Sequence, residues 1–419
     1  MAKHQILIIG GGTAGLTVAS RLLLKNKNLD IGLIEPSETH YYQPAWTLVG
    51  GGTFKLEDTA KPEARYMPKG VTWIKDRVTS LDPDNNAVHM AESGSISYDY
   101  LVVAPGIQID WHKIEGLKES LGKGGVCSNY DYNQCSYTWE ILKNFKGGTA
   151  LFTNPNTPIK CGGAPQKIMY LVADYLRKHD LLKQSDIRFT SAGGVIFGVQ
   201  PYKAALEKVV ERYGIQTDWH HNLKAIRGDR NEAVYDILKD GKPVDEVTLK
   251  YDMIHVTPPM SAPDFIKYSP LADEGMDVSI CLTEEDETKP GLLANTDGWL
   301  ELDKHTLQNP TYPNVFGLGD AAGLPCAKTG AAVRKQAPVL VENLLSAMTG
   351  ATLRAQYDGY GSCPLITGYG KLILAEFNYE NKSTPTFPFD QSKERWSMFI
   401  LKKYLLPWMY WNRMLQGKA

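Results

Sequence analysis

The chain has 419 residues, with 45 basic against 47 acidic side chains and a formal charge of −2, so it exceeds one ordinary core and its overall field excludes an obvious nucleic-acid partner. Its six cysteines are Cys127, Cys135, Cys161, Cys281, Cys326 and Cys363; they are too sparse for a disulfide scaffold, and with no CxxC pair and no His cluster no metal is expected. No run of eighteen apolar residues marks a transmembrane helix, and an apolar strand starts so close to the first residue that no signal or transit segment is expected.

Residues Gln5 to Ile9 (QILII) read as a buried parallel strand entering Gly10-Gly11-Gly12-Thr13-Ala14-Gly15, a GxGxxG turn, and Leu16 to Leu24 continue with a helical pattern. Strand, tight turn and helix are what a dinucleotide pyrophosphate needs: Gly10 permits the turn, Gly12 lets phosphate approach the backbone, Gly15 allows close packing, and Ala14 lies in the same loop. The next strand, Ile31 to Ile34, ends at Glu35, placed to accept hydrogen bonds from an adenosine ribose and to disfavour a 2′-phosphate. Tyr98 to Gly106 (YDYLVVAPG) is an apolar strand closing on Ala104-Pro105-Gly106, and it resembles the crossover segment of two-dinucleotide flavoproteins.

Cys127 follows in Gly-Gly-Val-Cys-Ser-Asn. Where a second dinucleotide unit would show its own GxGxxG, the strand Thr149 to Thr153 leads instead into NPNTPIKCGGAP (Asn154 to Pro165), then a helix from about Gln166 to Arg177. Two prolines ahead of the cysteine, Pro155 and Pro158, make a poor pyrophosphate cradle. Cys161 in that loop precedes a helix N-terminus and adjoins Lys160, and both effects favour the reactive thiolate. Residues 273 to 295 form an acidic stretch that reads as an inserted solvated loop, with Cys281 inside it and without chemistry.

Tyr312 to Asp320 (YPNVFGLGD) resembles the second FAD fingerprint, with Asp320 on a ribityl hydroxyl; Lys328-Thr329-Gly330 then open a helix whose positive end suits charge on the flavin. Cys326 between them reads as spacing or packing. Cys363 lies in Tyr360 to Tyr369 (YGSCPLITGY), which reads as a turn-rich loop. The tail changes character after Phe387-Pro388-Phe389-Asp390: Lys393 to Ala419 carry six basic residues and one acid, a charge of +5 by subtraction, among large apolar and aromatic side chains. Two short interfacial helices broken at Pro407 fit this pattern, with a core-packing or dimer helix pair as the competing reading.

The segments EPSETHYYQPAWTLVGGG (Glu35 to Gly52), NPNTPIKCGGAPQKIMYL (Asn154 to Leu171), HVTPPMSAPD (His255 to Asp264), YDGYGSCPLITGYGKLILAEF (Tyr357 to Phe377) and FPFDQSKER (Phe387 to Arg395) resemble the sulfide:quinone oxidoreductase family, in the branch that includes the mitochondrial enzyme. The resemblance implies an α/β fold of two Rossmann-like domains of the glutathione-reductase type: an FAD domain from 1–108 and 297–345, a second domain lacking a nicotinamide fingerprint at 109–296, and a membrane-associating region at 346–419. It implies FAD as cofactor, with Gly10, Gly12, Ala14, Gly15, Glu35, Pro44, Ala104, Gly106, Asp320, Lys328 and Thr329 around it. Cys161 and Cys363 are then a redox pair, bridged when oxidised as a disulfide or trisulfide; sulfide leaves a persulfide on Cys363, and Cys161 passes electrons to the flavin and on to a membrane quinone. Cys127 falls near a third cysteine of the bacterial branch. Tyr369, Lys371, Phe377, Phe389, Lys393 and Trp396 are candidate quinone contacts. A thiol, sulfite or polysulfide is the expected sulfur acceptor and a lipid surface the expected support, on a bacterial cytoplasmic or mitochondrial inner membrane; a homo-oligomer is left open. The competing functions are a type II NADH:quinone oxidoreductase, a flavocytochrome-type sulfide dehydrogenase flavoprotein, and a flavin-stabilised interaction protein without turnover.

Overall fold

The computed structural model describes residues 2–273 and 298–419; the acidic stretch with Cys281 lies outside them. The first strand, Ala2–Ile9, is central to its sheet, and Ile6, Leu7 and Ile8 are fully buried, because a parallel strand covered on both faces needs a continuous apolar run. It pairs in parallel with Ile31–Ile34 on one side and with Ser95–Val103 on the other. Val71–Ile74 extends one edge. The long strand Ser95–Val103 takes the antiparallel Ala87–Met90 along its first half and the parallel Val315–Gly317 along its second. Residues more than two hundred positions apart thus share one sheet, and the Gly319-Asp320 turn lands at the same sheet end as the glycine loop.

Gly10 has φ +95°, and a Cβ there would sit 2.4 Å from the Ala104 carbonyl oxygen. A Cβ on Gly15 would lie 1.8 Å from the Gly10 carbonyl oxygen, so the helix Thr13–Lys25 reaches its strand only because that position is bare.

The second unit is a five-stranded parallel sheet in the order Val126–Cys127, Met253–His255, Gly148–Asn154, Ser185–Ser191, Gln216–Trp219. A three-stranded antiparallel sheet spanning His221–Arg227, Glu232–Lys239 and Lys242–Lys250 flanks it. The helix Ala164–Lys178 follows the strand Gly148–Asn154 and is buried along most of its length.

Cys363 is in a strand, not a loop: Gly361–Gly368 pairs antiparallel with Lys371–Phe377, placing Cys363 opposite Ala375. Gly361, Pro364 and Gly368 read as turn residues, yet a two-stranded ribbon has only edges, where a missing N–H is tolerated. The hairpin lies on the Ala164–Lys178 helix, with Leu365 and Ile366 in one core with Ile168 and Leu171.

The tail is not broken at Pro407. Helical turns run without interruption through Trp396–Ile400, Leu401–Leu405, Leu406–Met409 and Tyr410–Met414, the second and fourth being π-helical. A π turn bonds i to i+5, which widens the helix where proline removes a donor and keeps Met398, Lys402, Tyr410 and Met414, spaced in multiples of four, buried on one side. Among the described residues no helix is long and apolar enough to cross a membrane.

Because the backbone oxygen of Gly10 occupies the place of a Gly15 side chain, Gly15→Ala is expected to destabilise the chain by about 2–3 kcal/mol. A lowered urea midpoint checks this; an unchanged midpoint would show that the helix can lift from its strand.

Candidate functional site

A cavity of about 690 Å³ runs between the two sheets and the C-terminal hairpin and helix. Gly12, Ala14, Glu35, Pro44, Ala104, Gly106, Asp320, Lys328 and Thr329 border it, whereas Gly10 and Gly15 stand behind it in the turn and the packing contact. Glu35 accepts from the backbone N–H of Gly11 at 2.8 Å and of Ser37 at 2.7 Å. Burial pushes its carboxyl up and these two bonds pull it down. A Cβ on Gly12 would meet nothing within 4 Å, so the loop backbone lies open to a ligand. Asp320 is raised by burial, partly offset by the cations of Lys328 and Lys160. Thr329 caps the helix Gly330–Met348 by accepting from the Ala332 N–H. An open glycine loop, a carboxylate beside it and a second, half-buried carboxylate near a helix N-terminus fit a dinucleotide flavin.

In the same cavity the helix Ala164–Lys178 presents Cys161 ahead of its first turn. Cys161 sits at φ +55°, in the left-handed region that side chains seldom adopt and that clusters at functional sites. Its N–H donates to the Lys328 carbonyl at 2.9 Å, tying the cysteine loop to the FAD-domain helix. The Cys363 Sγ lies 3.4 Å from the Cys161 Sγ. A Cβ on Gly163 would come within 2.6 Å of that Cys363 sulfur, so the bare glycine is what lets the hairpin bring its thiol so near.

Lys167 Nζ donates to Cys161 Sγ at 2.9 Å. The Cys161 thiol is held well below the usual thiol range by the hydrogen bond from Cys363, against burial and with the help of the Lys167 and Lys402 cations. Cys363 is pushed well above that range by its bond to Cys161 and by burial. The reduced pair is therefore a Cys161 thiolate facing a Cys363 thiol. Burial acts against the Lys167 charge, but the two sulfurs outweigh it and raise its pKa.

Lys160 was expected to activate Cys161, but its ammonium turns away to Gln43 and over the Trp46 and Tyr130 rings. Two lysines not singled out from the sequence take that place. Lys167 stands in the first turn of a helix, where the macrodipole disfavours a cation, and that mismatch was a legible sign of an anion nearby. Lys402 comes from the tail, donates to the Pro44 carbonyl at 2.9 Å, and is pushed down to about 7 by burial and by Lys167; nothing local in the sequence marked it.

Cys127 is not part of the site. It is fully buried in the edge strand of the second sheet with its Sγ against the Ile254 carbonyl, and burial pushes its thiol up to about 12. Cys326 is buried beside Gln336 and does not border the cavity. None of Tyr369, Lys371, Phe377, Phe389, Lys393 or Trp396 lines the cavity either. Tyr369 donates to the Gly51 carbonyl, Phe377 packs on Phe197, and Lys393 and Trp396 are solvent-exposed. The same segments contribute Ser362, Pro364, Leu374, Glu376, Thr386 and Phe387 instead. Successive strand residues point to opposite faces, and Lys371 and Phe377 have the opposite parity to Leu374 and Glu376. Phe389 backs the cavity indirectly, stacking on Phe387 at 5.2 Å between ring centroids. No cluster able to hold a metal ion occurs among the described residues.

Fold and site together define a flavin-dependent oxidoreductase with two Rossmann-like units, and residues 4–134 match the pyridine nucleotide-disulphide oxidoreductase family. Its cofactor is FAD. The chain is 47% identical over 416 residues to a Dictyostelium discoideum protein named mitochondrial sulfide:quinone oxidoreductase, with 99% of this chain and 86% of that one covered. It is 44% identical to the Mus musculus protein of the same name, covering 99% and 87%. The crystal structure of the sulfide:quinone oxidoreductase from Aquifex aeolicus superposes with a TM-score of 0.74 at 20% identity, over 100% of this chain and 92% of that one. The chain belongs to the sulfide:quinone oxidoreductase family.

With Lys167 holding the thiolate, Lys167→Met is expected to slow iodoacetamide alkylation of Cys161 at pH 7 about tenfold. In the unaltered reduced protein Cys161 ionises below the ordinary thiol range, so its alkylation should persist as pH falls from 9 to 7, while in the variant it should decline over that window. Identical profiles for the two proteins would remove Lys167 from this role.

Proposed function

We propose that this protein oxidises sulfide to sulfane sulfur through Cys161 and Cys363 and passes two electrons by way of FAD to a membrane quinone. The observation that carries the reading is the 3.4 Å separation of the two sulfurs, with Cys161 and Lys167 on the wall of the flavin cavity and Cys363 buried against Cys161. Two S–S bonds of ~2.05 Å meeting at a roughly tetrahedral angle span about 3.3 Å, so one bridging sulfur fits between these side chains without backbone movement.

In the disulfide form of the oxidised pair, hydrosulfide attacks the Cys363 sulfur, forming Cys363–S–SH and breaking the bond to Cys161, which leaves as a thiolate. The leaving sulfur is the one stabilised by Lys167, as exchange chemistry favours. When bound, FAD would supply a two-electron acceptor for the pair carried by the Cys161 thiolate and would relay it to quinone as the bridge re-forms. Gly12, Glu35, Asp320, Lys328 and Thr329 would hold the cofactor, and Pro44, Ala104 and Gly106 border it. The Cys363 persulfide gives its outer sulfur to a small acceptor: a thiol, sulfite or a growing polysulfide. Leu374, Thr386 and Phe387 would wall the quinone site, with Glu376 as a polar group at its edge.

The tail supports attachment to a lipid surface. Trp396, Tyr404, Leu405 and Trp408 are each more than half exposed, with Lys403 and Arg413 among them, the composition of an interfacial helix. Such a helix, on an energy-transducing membrane of a mitochondrion or bacterium, would bring quinone to the cavity while sulfide enters from water.

Anaerobic sulfide is expected to bleach the flavin stoichiometrically, decylubiquinone to restore it, and NADH to do neither. Cys161→Ser and Cys363→Ser should each cut sulfide-dependent bleaching at least a hundredfold while keeping FAD. Bleaching by NADH, or by sulfide in both serine variants, would overturn the reading. In vesicle flotation, the Trp396→Ser, Trp408→Ser double variant should lose most binding while sulfide still bleaches its flavin; undiminished flotation would detach the tail from the membrane role.

A further inference from the structure

We propose that the adenosine half of FAD is read by a second carboxylate, Glu63, and that through His40 and Tyr410 this contact couples cofactor loading to docking of the C-terminal helix. The inference rests on the FAD reading of the cavity. Glu63 is 1% exposed, and its Oε1 is buried with no hydrogen-bond partner among the described residues. That oxygen lies 3.0 Å from where a Cβ on Gly11 would be, and Glu63, Gly11 and Glu35 border the cavity together. A buried polar atom without a partner is costly, so a donor from the cavity is needed there. An anionic pyrophosphate cannot serve beside a carboxylate; a ribose hydroxyl can. The two Glu35 oxygens already accept backbone N–H groups, which leaves room for a second acceptor.

The other face of Glu63 leads into the tail. Its Oε2 meets His40 Nδ1 at 2.9 Å, His40 Nε2 meets the Tyr410 hydroxyl at 2.6 Å, and that hydroxyl meets Thr13 Oγ1 at 2.7 Å. A neutral His40 with its proton on Nδ1 would donate to Glu63 and accept at Nε2 from the Tyr410 O–H, leaving the Thr13 O–H to donate to Tyr410. Thr13 is the first residue of the helix that follows the glycine loop, so both ends of the chain touch the dinucleotide loop. Around this line the tail packs on the FAD unit. Tyr410, Trp411, Met414 and Leu415 belong to its core, Ser20 Oγ donates to the Leu415 carbonyl at 2.6 Å, Arg21 donates to the Ala419 carbonyl, and Lys61 sits over the Trp411 ring. Cofactor in the loop orders Glu63 and Thr13, and these order the residues that grip the helix. By linkage the helix must strengthen cofactor binding by the same factor.

The test compares FAD-loaded and FAD-stripped full-length protein. Amide exchange of residues 396–415 is expected to slow on loading, and Tyr410→Phe and Glu63→Gln are each expected to raise the FAD dissociation constant, read by flavin fluorescence, about tenfold. Equal exchange in both forms, or wild-type FAD affinity in both variants, overturns the coupling. Should either variant fold poorly, the exchange comparison on the unaltered protein still decides. Sulfide bleaching is measured separately, so its survival alongside a failed coupling would retire this inference alone.

Discussion

The contact between Lys167 and the Cys161 sulfur is the constraint on which the site depends. A lysine buried in the first turn of a helix opposes both desolvation and the helix dipole, and only an anion held within hydrogen-bond reach offsets the two. The left-handed backbone at Cys161 aims the sulfur at that lysine, Gly163 leaves room for the second sulfur, and the hairpin delivers it. Moving any one of these parts would leave a buried cation unpaired, so the chemistry and the packing of this region enforce the same arrangement.

The FAD unit was legible in the sequence because its signals are local. A strand of β-branched and leucine residues, a bare turn and a capping helix occupy neighbouring positions, and the acid closing the second strand follows at a set distance. Cys161 was legible for a similar reason: the helix start and the small residues lie on either side of it. Cys363 was read as part of a loop because Gly and Pro weigh heavily in a local reading, whereas its strand is stabilised by a partner ten or so positions on and by the helix beneath. The activating lysine was misassigned from adjacency in sequence. Side chains in a helix lean toward its N-terminus, which carries Lys167 back to the cysteine while Lys160 points elsewhere.

The proposed quinone wall shows a different limit. The expected segments do border the cavity, but choosing residues within them required knowing which face of the hairpin meets it, and a single step in register exchanges the faces. Ser362 and Pro364 pair across the ribbon with Glu376 and Leu374 and share the cavity face, whereas an aromatic-first reading selected their neighbours. In the tail, the composition that left an interfacial and a core-packing reading open belongs to a single two-sided helix. One side is core, and the other presents exposed tryptophans and leucine; the π turns keep the two sides from rotating into one another.

Four lysines, Lys160, Lys167, Lys328 and Lys402, border one cavity. Burial pushes Lys160 and Lys328 down to about 8, and Lys402, with Lys167 adding to the effect, to about 7. Lys167 alone is raised, because the two sulfurs overcome its burial. The charge that this pocket fully compensates is therefore a sulfur anion, and when the pair is oxidised that anion is gone. The cations then face a neutral bridge, and a small anion entering from water restores the balance. Hydrosulfide is such an anion, and in the mechanism we propose its attack on the bridge would turn its charge into the Cys161 thiolate beside Lys167. The field that draws the substrate in is thus the field that stabilises the leaving group, and one lysine position serves both.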